Sequence, residues 1–191
     1  MGCTITATAQ DATTHCIVNR PSWINMSTYY QYLADNFTTY NLFEAIFEAP
    51  VNHLLWNNSC GTRVSLTLIK AGVKDRIGMR DITVKKGDFK DRFIEPAADR
   101  LADWLKSKWG APEVQFKTTT TTTLKDLRDK IGSRKGVFAF KVNDRRAFGA
   151  SGHITLWNGS NVISGSQYEN QAYANGNPGE VFILGIKVRE E

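Results

Sequence analysis

Residues 56–66 of the chain read WNNSCGTRVSL, and this stretch predicts the start of a helix. Asn57, Asn58 and Ser59 are residue types that cap helix N-termini, because their side-chain oxygens accept hydrogen bonds from the first backbone N–H groups. Apolar residues then recur at helical spacing. The remaining elements can be placed around this helix.

Cys60 falls in the first turn of that helix. The N–H groups and the positive end of the helix dipole favour a thiolate there, so Cys60 is a candidate nucleophile. The alternative is a small buried core cysteine. The chain has three cysteines, and a pairing of Cys3 with Cys16 would leave Cys60 as the reactive one.

The composition is that of one globular domain. The chain has 191 residues, of which 41% are hydrophobic and 11% aromatic. The net charge of +5 suits an anionic partner such as a cell-wall polymer, a membrane surface or nucleic acid. No apolar run reaches the ~20 residues that span a bilayer. No Sec-type signal peptide is visible at the N-terminus.

We expect two regions: a flexible N-terminal tail over residues 1–19, which are small, polar and Thr-rich, and one folded domain over residues 20–191. Helices are predicted after Pro21 and over about Glu95–Lys108, where Pro96 occupies the first turn. Strands are predicted late in the chain, over 136–142, 153–157, 160–165 and 181–188. Helices followed by an antiparallel sheet make an α+β fold.

Asn158-Gly159 between two strand-like runs predicts a β-hairpin with a two-residue turn. That turn would pair Trp157 with Ser160 and place Ser164 opposite His153. Directly opposed residues share one face of the sheet.

His153 heads the first strand of this hairpin, after the small residues at 149–152. It is the best-placed partner for Cys60, because His15 lies in the predicted tail and His53 remains a weaker alternative. A cysteine at a helix start followed by a histidine at a strand start is the papain-like order. Its chemistry is acyl transfer, with the imidazole as general base and acid and the Cys60 N–H in an oxyanion hole.

Four blocks of the chain resemble the fourth family of type VI secretion amidase effectors, which are papain-like and NlpC-like cell-wall endopeptidases. They are Arg20-Pro21-Ser22-Trp23, the block from Asn58 to Ser65, Trp109-Gly110-Ala111-Pro112, and Gly152-His153-Ile154-Thr155-Leu156-Trp157-Asn158-Gly159. Gly61 stands where the family has alanine.

The resemblance implies hydrolysis of peptidoglycan stem peptides at the γ-D-glutamyl to meso-diaminopimelate bond, with Cys60 as nucleophile and His153 as general base. The matching blocks also supply Asn58, Arg63 and Trp157 as expected substrate-binding residues. We expect no cofactor. Members of the family are injected into a rival's periplasm, a route that needs no signal peptide, and a cognate immunity protein holds them in check.

The chain departs from the family at its third catalytic residue, because Ser164 stands where the family has aspartate. A serine hydroxyl can accept from the imidazole N–H but stabilises an imidazolium less well than a carboxylate does. Other candidates for orienting the ring are Asn161, Gln167 and Glu169, and a Cys–His dyad needs no third residue.

Two other functional classes can be weighed. A non-catalytic module that binds peptidoglycan or a protein is the main alternative to an antibacterial amidase, because the family aspartate is missing. Nucleic-acid binding is disfavoured, since the lysines and arginines of 74–92 alternate with aspartates. No His/Cys spacing fits a metal site.

Overall fold

The computed structural model describes residues 3–6, 17–48, 58–163, 174 and 176–186, with side chains from Arg20 onward within those ranges. In chain order the elements are β1 (Cys3–Thr6), β2 (Ile17–Arg20), α1 (Trp23–Asn36), α2 (Thr39–Ile46), α3 (Cys60–Lys70), α4 (Ala98–Trp109), β3 (Val114–Thr118), α5 (Leu124–Ile131), β4 (Gly136–Val142), α6 (Arg145–Phe148), β5 (Gly152–Trp157), β6 (Val162–Ile163) and β7 (Gly179–Gly185).

Five of the strands form one antiparallel sheet in the order β3-β7-β4-β5-β6. Its two faces carry separate hydrophobic cores. One core contains Ile154 and Leu156 together with residues of α1, α3 and α4. The other contains Phe138, Phe140 and Trp157 together with the apolar residues of α5. The predicted α+β fold is confirmed.

Helix α3 lies at the centre of the first core. Every residue from Cys60 to Ile69 is buried, and the helix packs against α1, α4 and β5. A helix buried on all sides is held by tertiary packing rather than by its own propensity. The stretch chosen from the sequence is therefore the central helix of the fold.

Gly61 permits a close approach between α3 and the chain that precedes α4. A Cβ at this position would lie 2.2 Å from the carbonyl oxygen of Pro96 and 2.8 Å from that of Glu95. Neither backbone oxygen can yield without moving its segment. The glycine that departs from the family alanine thus fits the backbone of this chain.

Two predicted helix starts can be compared with the structure. Helix α1 begins at Trp23 as expected, with the side chain of Ser22 accepting from the Asn25 N–H. Helix α4 begins at Ala98 rather than at Glu95. The side chain of Glu95 folds forward to accept from the Ala97 N–H at 3.0 Å, so it caps the helix from outside.

The predicted hairpin register is wrong by two residues. Trp157 pairs with Val162 instead of Ser160, so β6 begins at Val162. The side-chain oxygen of Asn158 accepts from the backbone N–H groups of both Ser160 and Asn161. These bonds close a loop of four residues in place of the two-residue turn. The observed register therefore gives no reason to place Ser164, which lies outside the described residues, opposite His153.

The structure describes two short segments near the N-terminus, residues 3–6 and 17–20. Strands β1 and β2 pair antiparallel, with Cys3 opposite Arg20, so β2 crosses the expected boundary between residues 19 and 20. The side chain of Cys3 and all of Cys16 lie outside the described residues, as do His15 and His53.

Candidate active site

Cys60 is the first residue of α3 and is 2% exposed. Its backbone N–H donates to the side-chain oxygen of Asn58 at 3.0 Å. The hydroxyl of Ser59 takes part in a different contact, because it accepts from the Arg63 Nε. The thiol therefore sits at the positive end of the helix dipole, as the sequence predicted.

A cavity of about 350 Å³ opens beside Cys60. Three segments form its walls: the turn into α3, the chain around the start of α4, and the small residues that lead into β5. The lining residues are Asn58, Cys60, Arg80, Ile82, Pro96, Ala97, Ala98, Arg100, Gly149, Ala150, Ser151 and Gly152.

Glu95 supports one wall of this cavity. Its carboxylate is fully buried and accepts from Arg100 Nη2 at 2.8 Å and from the Ala97 N–H at 3.0 Å through the same oxygen. The second carboxylate oxygen is buried without a hydrogen-bond partner among the described residues. Its backbone N–H and carbonyl both bond to the Ser65 hydroxyl of α3.

The loop opposite this wall is held to α4. Arg145 forms an ion pair with the buried carboxylate of Asp99 at 2.7 Å. Gly152 closes the loop at φ +146, where a Cβ would lie 2.0 Å from the carbonyl oxygen of Phe140. A side chain cannot occupy that place, so the residue before His153 must be glycine.

His153 is the second residue of β5 and is buried. It pairs directly with Phe140 on β4, whereas the next residue, Ile154, belongs to the core on the helical face. Strand alternation thus directs the Cβ of His153 to the Phe140 face, at the rim of the sheet beside Gly152. Desolvation by burial lowers the pKa of His153 to about 3, so the imidazole is neutral at pH 7.

Arg63 and Trp157 were expected to bind substrate, but their side chains make contacts in the interior of the protein. The guanidinium of Arg63 donates to the Leu33 carbonyl, to the Phe37 carbonyl at 2.6 Å and to Ser59. Trp157 is fully buried and stacks on Phe138 in the second core. Neither residue lines the cavity, whereas Asn58 does.

Of the four candidates for orienting the imidazole, the structure describes Asn161 alone. Ser164, Gln167 and Glu169 lie outside the described residues. Asn161 lies in the hairpin loop, where its side-chain oxygen accepts from Arg128 of α5. The loop is at the far end of β5 from His153, so the structure gives Asn161 no place beside the ring.

Arg80, Glu95 and Arg100 were not predicted from the sequence as site residues. One signal was available, because Glu95-Pro96 precedes a helix and a carboxylate before a helix start often serves as a cap. Arg80 carried no local signal, since it lies in an irregular segment that enters the cavity only through tertiary packing.

Over the described parts of the chain, no three His, Cys, Asp or Glu side chains are grouped so as to hold a metal ion. No helix within those parts is long and apolar enough to cross a bilayer.

Comparison with known structures shows which folds are similar. The Tae4 chain in the Salmonella Typhimurium Tae4–Tai4 effector–immunity complex is 20% identical, with a TM-score of 0.65 over 88% of this chain and 100% of that chain. The corresponding Enterobacter cloacae complex gives 15% identity and a TM-score of 0.63, over 88% of this chain and 99% of that one. The structure of Tae4 from Enterobacter cloacae alone gives 17% identity and a TM-score of 0.60, over 89% of this chain and 99% of that one.

No curated protein sequence matches the chain significantly. The model of one protein family does, over residues 56–183, which are more than half of the chain. That family is described as type VI secretion system amidase effector protein 4. The matched range includes Cys60, the cavity walls and His153. The chain therefore belongs to the Tae4 family of type VI secretion amidase effectors.

Proposed function

We propose that Cys60 is the nucleophile of a cysteine amidase that hydrolyses peptidoglycan stem peptides at the γ-D-glutamyl to meso-diaminopimelate bond. The observation that carries this proposal is the position of Cys60, at the N-terminus of a buried helix and in the wall of a cavity. Family membership supports amide hydrolysis, because the family is one of amidase effectors.

His153 is the proposed general base and acid. It belongs to β5, which packs against α3, and the residue before it lines the same cavity as Cys60. Because burial lowers the pKa of His153 to about 3, its imidazole is neutral at pH 7 and has a free lone pair for the thiol proton. This role requires the imidazole of His153 to contact the thiol of Cys60 past the end of β5 that Gly152 forms.

The reaction follows from these two groups. The imidazole takes the thiol proton as the sulfur attacks the amide carbonyl, and it returns the proton to the departing amine. A thioester remains on Cys60 and a diaminopimelate-containing product leaves. Water, deprotonated by the same imidazole, then hydrolyses the thioester and regenerates the thiol.

The oxyanion hole requires one rearrangement. We predicted that the Cys60 N–H would stabilise the tetrahedral oxyanion, yet this N–H donates to Asn58. Substrate binding must release that bond, because one N–H cannot donate fully to two oxygens. Asn58 lines the cavity, so the incoming carbonyl can displace its side chain. Asn58 therefore acts at the site through this hydrogen bond.

The biological setting is proposed by analogy with the relatives. The Tae4 proteins of Salmonella Typhimurium and Enterobacter cloacae are each found in complex with the immunity protein Tai4. We propose that a cognate immunity protein also binds this chain and that the chain acts on peptidoglycan in the periplasm of a target cell. Residues 20–191 form the proposed amidase domain.

Digestion of purified peptidoglycan tests the proposal. Wild-type protein should release fragments ending in free D-glutamate, identified by mass spectrometry, whereas Cys60→Ala should release none. Cys60→Ala with unchanged thermal unfolding serves as the folded control. Equal release by both proteins would contradict the nucleophile assignment.

A further inference from the structure

Two arginines line the cavity beside Cys60, Arg80 and Arg100. Their electrostatic situations differ. Arg100 is paired with the fully buried carboxylate of Glu95 at 2.8 Å, so its charge is compensated inside the protein. The hydrogen bond to Glu95 also raises the pKa of Arg100.

Arg80 is exposed and forms no ion pair with any acidic side chain in the described parts of the chain. Its sequence neighbour Asp81 is paired with Arg76 instead. Among the described residues that line the cavity, Arg80 is therefore the one whose positive charge no acidic side chain compensates. A guanidinium in a cleft is suited to bind a carboxylate through two parallel N–H donors.

The substrate of the proposed function carries such a carboxylate. A glutamyl residue joined through its γ-carboxyl keeps its α-carboxylate free, a few bonds from the scissile carbonyl. Diaminopimelate carries a further free carboxylate on the leaving side. Both are absent from an ordinary α-linked peptide of neutral residues.

We propose that Arg80 binds a free carboxylate flanking the scissile amide and so selects γ-linked, anionic stem peptides. This proposal rests on the proposed function for the identity of the peptide. Arg80 is then a specificity-determining residue, while Arg100 is a positioning residue that the Glu95 carboxylate fixes in the cavity wall.

Binding measurements separate this proposal from catalysis. The probe is the tetrapeptide L-Ala–γ-D-Glu–meso-diaminopimelate–D-Ala, titrated by calorimetry into the Cys60→Ala protein. Two further probes remove one carboxylate each: the α-amide of the D-Glu residue, and a tetrapeptide with lysine in place of diaminopimelate. Arg80→Ala, Arg80→Lys and the exposed control Lys86→Ala are each combined with Cys60→Ala.

We expect Arg80→Ala to weaken binding of the tetrapeptide on the order of 10-fold or more, with Arg80→Lys between it and the parent. Lys86→Ala should match the parent. The two modified probes identify the carboxylate. If the Arg80→Ala and parent proteins bind the α-amide probe equally well, Arg80 contacts the D-Glu carboxylate. If they bind the lysine probe equally well, Arg80 contacts the diaminopimelate carboxylate.

The proposal is overturned if Arg80→Ala binds the tetrapeptide as tightly as Lys86→Ala does, or if it weakens all three probes equally. Failure of the Cys60→Ala protein to bind the tetrapeptide also overturns it. Tight, Arg80-dependent binding without hydrolysis by the wild-type protein would count against the proposed function alone.

Discussion

The side-chain oxygen of Asn58 lies 3.0 Å from the backbone nitrogen of Cys60 and accepts its N–H. This N–H is the donor that the proposed oxyanion hole requires. Asn58 therefore competes with the tetrahedral intermediate for one hydrogen bond, and it also lies in the wall of the cavity.

Asn58→Asp should reduce kcat/KM by about 10-fold or more at pH 7, because a carboxylate there opposes both a thiolate and an oxyanion. The shape of the residue is retained, so the effect reports charge. Asn161→Asp is the matched control, since Asn161 lies in the remote hairpin loop. Equal kinetic losses in the two variants would contradict the role given to Asn58.

Stability should fall with acidification because of His153. Burial lowers the pKa of His153 to about 3, whereas a histidine in the unfolded chain keeps the ordinary pKa of 6.5. The unfolded state therefore binds the proton first, and His153 destabilises the fold as the pH falls from 6.5 toward 3. Between pH 6.5 and 5 this amounts to about 2 kcal/mol.

Urea unfolding at several pH values measures this contribution. His153→Asn should flatten the dependence of unfolding free energy on pH over that window relative to wild type. Parallel curves for the two proteins would show that His153 does not titrate as a buried neutral ring.

Gly61→Ala should destabilise the protein by about 1–3 kcal/mol, because the added methyl meets the Pro96 carbonyl at 2.2 Å. Helix propensity alone predicts the opposite sign, with alanine favoured by about 1 kcal/mol. Gly72→Ala is a useful comparison, since its Cβ would meet no atom within 4 Å and only the positive φ of +96° opposes it.

Thermal unfolding and activity together test the Gly61 assignment. Gly61→Ala should also lower activity, because Pro96 and Ala97 line the cavity. Gly72→Ala should leave activity at the wild-type level. An unchanged or raised melting temperature in Gly61→Ala would show that the backbone at Glu95 and Pro96 can move aside without loss of stability.

Arg63→Ala should cost about 2–4 kcal/mol of stability while KM remains unchanged. The buried guanidinium donates to the carbonyls of Leu33 and Phe37, and its removal takes one charged donor from each, leaving the Leu33 carbonyl with the Phe37 N–H alone. Arg128→Ala, an exposed arginine that bonds to the hairpin loop, should cost less than about 1 kcal/mol. A raised KM with full stability in Arg63→Ala would restore its predicted role in substrate binding.

The fold class could be predicted because periodicity and local caps are properties of short segments. Helix α1 after Ser22 and strand β4 over Gly136–Val142 follow directly from such signals. The hairpin register could not be predicted, because the side chain of Asn158 closes a longer loop through its hydrogen bonds. No pattern of alternating residues distinguishes the two loops, since a shift of two preserves the faces.

The candidate site was predictable to a similar extent. Cys60 carried a local signal in its cap residues, and the papain-like order pointed to His153. The wall formed by Arg80, Glu95 and Arg100 depends on packing between distant segments. The buried role of Arg63 also depends on carbonyls at the C-terminal end of α1 and just after it, about 30 residues earlier in the chain.

The most direct test of the central claim is the rate at which iodoacetamide alkylates Cys60 at pH 7, followed by peptide mapping. A thiol that is open to the cavity and activated by His153 should react faster than glutathione. His153→Gln should slow the reaction by about 10-fold or more, and saturating tetrapeptide should protect Cys60. A Cys60 that reacts no faster than glutathione, with or without His153, would contradict the account.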